Sequence, residues 1–156
     1  MAEERVLFID TSVLCNIIDV PGRNQHRDKV RAEFRDLIDE GVNFVIPVTA
    51  VIETGNHIAN ASGDRRAAAN RLAELLEQAT LNNAPWQLHA VTLDATFIGS
   101  LLGGNGTGQS LVDLLGNAQM GTGDVAILCE RDIFRARTDF DEVGIWTLES
   151  TLGAYS

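Results

Sequence analysis

The stretch RVLFID, residues 5–10, determines the fold class that we predict. Val6 to Ile9 is an uninterrupted apolar run rich in strand-forming residues, and Asp10 closes it. Such a run is typical of a parallel strand that is buried on both faces. Because open parallel sheets bind ligands outside the carboxyl ends of their strands, Asp10 stands where a binding site is expected.

The rest of the chain alternates between strand patterns and helix patterns. Apolar runs at 42–46 and 143–147 predict two further buried strands, and residues 86–93 favour a fourth extended segment. Thr11 or Ser12 is expected to cap the first helix, and Thr49 the third. Predicted helices cover residues 12–18, 25–40, 50–61, 65–79, 95–102, 109–119, 124–134 and 149–155. This alternation indicates an α/β fold with a central, mostly parallel sheet of about four strands.

Length and composition place the chain among ordinary globular proteins. Its 156 residues predict one domain over 1–156, and its net charge of −10 argues against a general nucleic-acid coat, although an enzyme acting on nucleic acid remains open. We see neither a signal-peptide pattern nor an apolar run long enough to cross a bilayer, so a cytoplasmic protein is expected. Cys15 and Cys129 sit in apolar helical patterns and are expected to be buried, without a disulfide.

Four apolar runs each end in an acidic residue. They close at Asp10 in RVLFID, Glu53 in VTAVIE, Asp124 in GTGDVAILCE and Glu149 in VGIWTLE. In an α/β fold, strand ends and helix starts gather at one edge of the sheet, so these acids can meet. Carboxylates sharing a poorly solvated place repel one another, and a hard divalent cation removes that penalty. The pattern therefore predicts a metal site and, with it, phosphoryl-transfer chemistry.

Each of these acids also has a purely structural interpretation. Asp10 could cap a helix, and Glu53, Asp124 and Glu149 could be first-turn acids favoured by the helix dipole. Other acids could supply the fourth metal ligand in place of Glu149. These are Asp113, Asp132, Asp139 and Asp141, of which Asp132 lies two helical turns beyond Asp124.

Taken together and in order, four motifs resemble the PIN domain, a compact α/β metal-dependent ribonuclease fold. They are VLFIDTSVL, VIPVTAVIE, GTGDVAILCE and IWTLES, and they span nearly the whole chain. The resemblance implies a three-layer α/β/α sandwich and a Mg²⁺ or Mn²⁺ site. The family usually has Thr-x-Asp at its fourth position, where this chain has Thr147-Leu148-Glu149.

The resemblance also implies an activity, namely hydrolysis of RNA phosphodiester bonds, and assigns residues to it. The metal ligands and catalytic residues would be Asp10, Glu53, Asp124 and Glu149. The supporting residues would be Thr11, Ser12, Thr147 and Asp132, and the contacts to RNA phosphates would be Arg31, Arg35 and Arg131. Small members of the family are often the toxin half of toxin–antitoxin pairs, so a cognate antitoxin and a homodimer are expected as protein partners.

Two other interpretations remain open. The first is a catalytically decayed PIN-like module that binds protein or RNA. The second is a nucleotide-binding protein, because GGNGTGQS at 103–110 matches the phosphate-loop pattern except that Gln109 replaces the lysine. That lysine supplies the charge contact to the phosphates, so a glycine-rich tether is the favoured interpretation of this stretch.

Overall fold

A three-stranded parallel sheet lies at the centre of residues 3–156, the part of the chain that this computed structural model describes. The strands are β1 (Arg5–Ile9), β2 (Asn43–Val45) and β3 (Glu142–Trp146), in the order β2-β1-β3. The first strand in the sequence is therefore the central strand of the sheet. Its register pairs Ile9 with Trp146 of β3 and Phe8 with Val45 of β2.

Eight helices accompany the sheet within these residues. They are α1 (Thr11–Ile17), α2 (Arg27–Asp39), α3 (Val48–Ala59), α4 (Arg65–Thr80), α5 (Ala95–Leu102), α6 (Leu111–Gly116), α7 (Thr122–Arg137) and α8 (Ser150–Gly153). None of them has the length and apolar character needed to cross a membrane. The α/β class predicted from the alternation of patterns is confirmed.

The side chains of β1 alternate between two apolar cores. Leu7 and Ile9 pack with buried residues of α1 to α4, whereas Val6 and Phe8 pack with buried residues of α5 to α8. Val6, Phe8 and Ile9 have no solvent exposure. The strand is therefore buried on both faces, as its continuous apolar run predicts.

The segment at 86–93 contributes much less to the sheet than the expected fourth strand. Only Trp86 forms a bridge, pairing in parallel with Phe44 of β2. Beyond it, Leu88 and Leu93 are exposed, so this stretch has no continuous apolar face to bury against the sheet. Pro85 also lacks the backbone N–H that a longer ladder would need at its start.

Two helix caps differ from the expected ones. The side chain of Asp10 caps α1 by accepting a hydrogen bond from the Val13 N–H, which leaves the hydroxyls of Thr11 and Ser12 free for other partners. Helix α3 begins at Val48, one residue before the cap predicted at Thr49. The fixed φ of Pro47 suits the residue that enters this helix.

The glycine-rich loop at 103–110 is folded onto α7 instead of forming the flexible tether that we expected. Asn105 donates a hydrogen bond to Asp132 of α7 at 2.8 Å. Gly104 has φ +71°, and a Cβ atom there would lie 1.8 Å from the carbonyl oxygen of Gln109. Ser110 caps α6 through the Asp113 N–H. The loop is thus a compact turn, without the open ring of N–H groups that cradles a phosphate.

Candidate metal centre

Asp10 lies at the carboxyl end of the central strand and is 2% exposed. Its Oδ1 accepts hydrogen bonds from the Ser12 hydroxyl at 2.7 Å and the Val13 N–H at 3.1 Å. Its Oδ2 accepts one from the Thr147 hydroxyl at 2.5 Å. Burial raises the pKa of Asp10 above its ordinary value, and these hydrogen bonds partly oppose the shift.

The register of β3 explains why Thr147 reaches Asp10. Ile9 is paired with Trp146, and the Asp10 N–H donates to the Trp146 carbonyl at 3.2 Å, so the residues that follow the two strands are neighbours. The Thr147 hydroxyl also accepts from the N–H of Glu149 at 2.9 Å. The Thr147 hydroxyl therefore holds Asp10 and orients the backbone of Glu149.

Glu53 enters the same region from α3. Its Oε2 accepts a hydrogen bond from the Thr11 hydroxyl at 3.0 Å, which joins α3 to the first turn of α1. Its Oε1 lies against the start of α7, where a Cβ atom on Gly123 would be only 2.0 Å away. The absence of a side chain at Gly123 is what lets the two helices bring their acids together.

Asp124 and Glu149 complete the group, and their carboxyls are near enough for each to shift the protonation of the other. Loss of solvent, followed by the charges of Glu149, Asp10 and Glu53, raises the pKa of Asp124 to about 7. Loss of solvent and the charge of Asp10 also raise the pKa of Glu149, against the hydrogen bond that Asp124 donates. The structure thus brings together the four acids predicted from separate motifs, since each affects the protonation of another.

No cation within residues 3–156 forms an ion pair with this group. Across residues 3–156, none of the four carboxylates has a Lys, Arg or His nitrogen within 4.0 Å. The raised pKa of Asp124 means that this acid holds a proton below about pH 7, which limits the repulsion in the cluster. An ion held among these oxygens would take over the part that this proton plays.

The chemistry of the group fits a hard divalent cation, because all of its donors are carboxylate oxygens. In the conformation described, no three His, Cys, Asp or Glu side chains within residues 3–156 are arranged around a common point at ligand distance. The oxygens of Asp10 are turned to Ser12, Val13 and Thr147. Asp10, Glu53, Asp124 and Glu149 would therefore hold an ion only after their side chains turn from this conformation.

A cleft of about 240 Å³ opens beside the acids. Glu53 and Glu149 line one part of it, and Arg23, His26 and His57 line another. A larger groove of about 780 Å³, between α3 and α4, contains none of the four acids. The smaller cleft is therefore the candidate site.

Two residues assigned to the site have other roles in the structure. The carboxylate of Asp132 contacts Asn105 and Arg131 and is not part of the acid group. Arg131 is 5% exposed, and its guanidinium donates to the carbonyl of Tyr155 at 2.8 Å and to Asp132 at 2.7 Å. This side chain is buried and holds the end of the described chain onto α7, so the structure does not bring Arg131 to the acid group.

The other two arginines that we expected to contact phosphate are on α2. Arg31 donates to the carbonyl of Ile17 at 3.0 Å, which ties α2 to the end of α1. Arg35 is exposed, and neither residue lines the cleft. The structure does not bring Arg31 or Arg35 to the acids.

Motif analysis missed Arg23 and His26. Both follow Pro21-Gly22, a pair that breaks a helix. Their position in the sequence was the available signal. They lie on the loop that follows α1, the helix that Asp10 caps, and the structure returns this loop to the same edge of the sheet. His57, one turn beyond Glu53 on α3, also lines the cleft.

No protein-family model, curated protein or solved structure matches this chain. The resemblance to the PIN domain thus depends on the four quoted motifs. The geometry adds one observation that the motifs do not contain, namely that their acids meet at the carboxyl end of a parallel sheet.

Proposed function

We propose that this protein is a metal-dependent endoribonuclease with a PIN-like three-layer α/β/α fold. The observation that supports this most directly is the meeting of Asp10, Glu53, Asp124 and Glu149 without a cationic partner among residues 3–156. Such a cluster destabilises the metal-free fold, and clusters of this kind are concentrated at binding and catalytic sites. Mg²⁺ or Mn²⁺ suits its oxygen donors, and the order of its motifs resembles that of the PIN family.

The four acids would hold the ion, and their hydroxyl neighbours would position them. Ser12 and Thr147 orient Asp10, and Thr11 orients Glu53. A bound ion would supply Lewis acidity and a water of lowered pKa for hydrolysis of a phosphodiester. This chemistry requires no Ser, Cys or His nucleophile from the protein.

The substrate that fits this site is single-stranded or looped RNA. The cleft is narrow and lies at one edge of the sheet, where a flexible strand reaches the acids more readily than a stiff duplex. The net charge of −10 indicates that affinity comes from local contacts at the site and not from the whole surface. The toxin role, the antitoxin partner and the homodimer remain predictions.

The test is cleavage of a labelled RNA by the purified protein with Mn²⁺, with Mg²⁺ or with EDTA. We expect cleavage only with the divalent ions. Asp10→Asn and Asp124→Asn should each lower the rate at least about a hundredfold, because each removes a ligand charge. Asp36→Asn, an exposed acid of α2 outside the cleft, is the matched control and should keep the wild-type rate.

A second candidate, a non-catalytic PIN-like module that binds protein or RNA, is favoured by one observation. Both oxygens of Asp10 are already engaged by protein donors, and Glu149 stands where the family has Asp. A protein that shows neither cleavage nor a rise in thermal midpoint with millimolar Mn²⁺, yet forms a stable complex with RNA, would support this candidate over the nuclease.

A further inference from the structure

Three basic side chains, Arg23, His26 and His57, line the cleft beside the acids. Arg23 is exposed, and within residues 3–156 it has no acidic partner within 4.0 Å and no side-chain hydrogen bond. Arg35, Arg66 and Arg137 also lack such partners within these residues, so what distinguishes Arg23 is its place on the wall of the cleft. Arg5 and Arg27, for comparison, are each paired with acids. Arg23 thus presents an unpaired guanidinium at the cleft that Glu53 and Glu149 line.

The backbone fixes the position of Arg23 through a tight turn. The Arg23 N–H donates to the Val20 carbonyl at 2.9 Å across Pro21 and Gly22. Gly22 has φ +81°, the left-handed conformation that the third residue of a type II turn requires. Pro21 precedes it at the position where its fixed φ is favourable. The turn therefore reduces the number of places that the side chain can reach.

Side chains anchor the rest of this loop to α1. Asn16, 3% exposed, donates to the Ser12 carbonyl at 2.8 Å and accepts from the His26 N–H at 2.9 Å. Asp19 accepts from Asn24 at 2.6 Å. Since Ser12 also binds Asp10, the basic and acidic parts of the cleft are held by the same short helix.

The charge of Arg23 reaches into the cleft. Burial raises the pKa of Cys15, and Arg23 acts against that shift. Burial lowers the pKa of His57, and Arg23 lowers it further. Arg23 lines the same cleft as Cys15 of α1 and His57 of α3.

We propose that Arg23, flanked by His26 and His57, binds a backbone phosphate of the RNA next to the phosphodiester held at the acid group. A guanidinium offers a planar fork of donors that matches phosphate oxygens. A cation on the wall of the cleft also offsets the repulsion between a polyanion and four acids. The cleft, at about 240 Å³, is smaller than the roughly 300–1,000 Å³ of small-molecule pockets, which favours one backbone segment over a free nucleotide.

This inference takes its substrate class from the proposed function, and its test separates binding from cleavage. Fluorescence anisotropy would measure the affinity of a labelled 12-nucleotide single-stranded RNA for Asp124→Asn protein in Mg²⁺, a background chosen to prevent hydrolysis. Arg23→Gln is then added to this background. The matched control is Arg66→Gln, which removes an exposed arginine of α4 outside the cleft.

We expect Arg23→Gln to weaken binding about tenfold or more, the usual effect of losing a charge-assisted hydrogen bond. The slope of log affinity against log salt should fall by about 0.7, as for one phosphate contact on a single strand. Arg23→Lys should recover part of the affinity, because it keeps the charge without the fork. Arg66→Gln should change neither quantity.

The outcomes are distinguishable. Unchanged affinity and salt slope in Arg23→Gln would overturn the phosphate contact even if the wild type cleaves RNA, and so would a failure of the Asp124→Asn protein to bind RNA. Loss of binding in Arg23→Gln, with no cleavage by the wild type in any ion, would support the phosphate contact and contradict the proposed nuclease activity. Equal thermal midpoints for all variants would show that the differences do not come from unfolding.

Discussion

At the scale of single residues, Gly123 determines how closely α7 approaches Glu53. We predict that Gly123→Ala folds normally but loses most of the rise in thermal midpoint that Mn²⁺ gives the wild type. The new Cβ would lie 2.0 Å from Oε1 of Glu53, so this flexible carboxylate must move out of the acid group. Gly121→Ala is the matched control, because its Cβ would meet no atom within 4 Å. A full Mn²⁺ response in Gly123→Ala would contradict this role.

The protonation of Asp124 gives a second prediction at this scale. Its pKa in the folded protein, about 7, lies above the ordinary 3.8, so between these values the folded state binds more protons than the unfolded state. The metal-free protein should therefore lose stability as pH rises through this window. Asp124→Asn should raise the thermal midpoint in EDTA at pH 8, change it less at pH 4, and abolish the Mn²⁺ effect. Melting curves at the two pH values check the sign, and a lower midpoint in EDTA at pH 8 would refute it.

At the scale of elements, the loop between α1 and α2 acts as one unit with α1. We predict that Gly22→Ala destabilises the protein by about 1 kcal/mol, because an alanine is strained at φ +81° while its Cβ meets no atom within 4 Å. Urea denaturation would measure this, with Gly116→Ala as a control in equally open space but without positive φ. RNA affinity should fall with Gly22→Ala as it does with Arg23→Gln. Unchanged stability would mean that the turn does not constrain the loop.

At the scale of the whole molecule, stability should depend on a buried acid outside the cleft. Glu130 of α7 is 1% exposed, and burial raises its pKa to about 7. Its Oε1 accepts from the Val48 N–H at 3.4 Å and lies 3.8 Å from Nε2 of His89. Burial, and to a lesser degree the charge of Arg137, lowers the pKa of His89. Glu130 therefore joins α3, α7 and the 86–93 segment, and its contribution to the free energy of unfolding depends on pH.

The sign of that dependence follows from the raised pKa of Glu130. The folded state favours the protonated acid, so its contribution to stability falls as pH rises from the ordinary value towards 7. His89 acts in the opposite sense, because its lowered pKa removes stability as pH falls below 6.5. We predict that Glu130→Gln stabilises the protein by roughly 2 kcal/mol at pH 8 and by much less at pH 4. Denaturant midpoints at both pH values check this; equal effects at both would exclude a buried, titrating Glu130.

Sequence patterns predict the parts of this molecule that depend on local rules. The apolar run before Asp10 indicates a buried strand, and the carboxyl ends of parallel strands must share an edge, so the meeting of the acids could be anticipated. The short pairing of the 86–93 segment could not be anticipated, because it depends on how Trp86 packs beside Phe44. The role of Arg23 depends on the direction in which a turn returns the chain, which is a property of three-dimensional packing.

The order of the strands also has a consequence for biosynthesis. The central strand β1 is translated first, but the Thr147 hydroxyl that holds Asp10 is 137 residues away in the sequence. A nascent polypeptide on the ribosome therefore lacks the edge strand β3, and the Thr147 partner of Asp10, until nearly all of these 156 residues have been made. For the ribonuclease that we propose, this order would keep the acid group incomplete beside the messenger and ribosomal RNA that surround the protein during its synthesis.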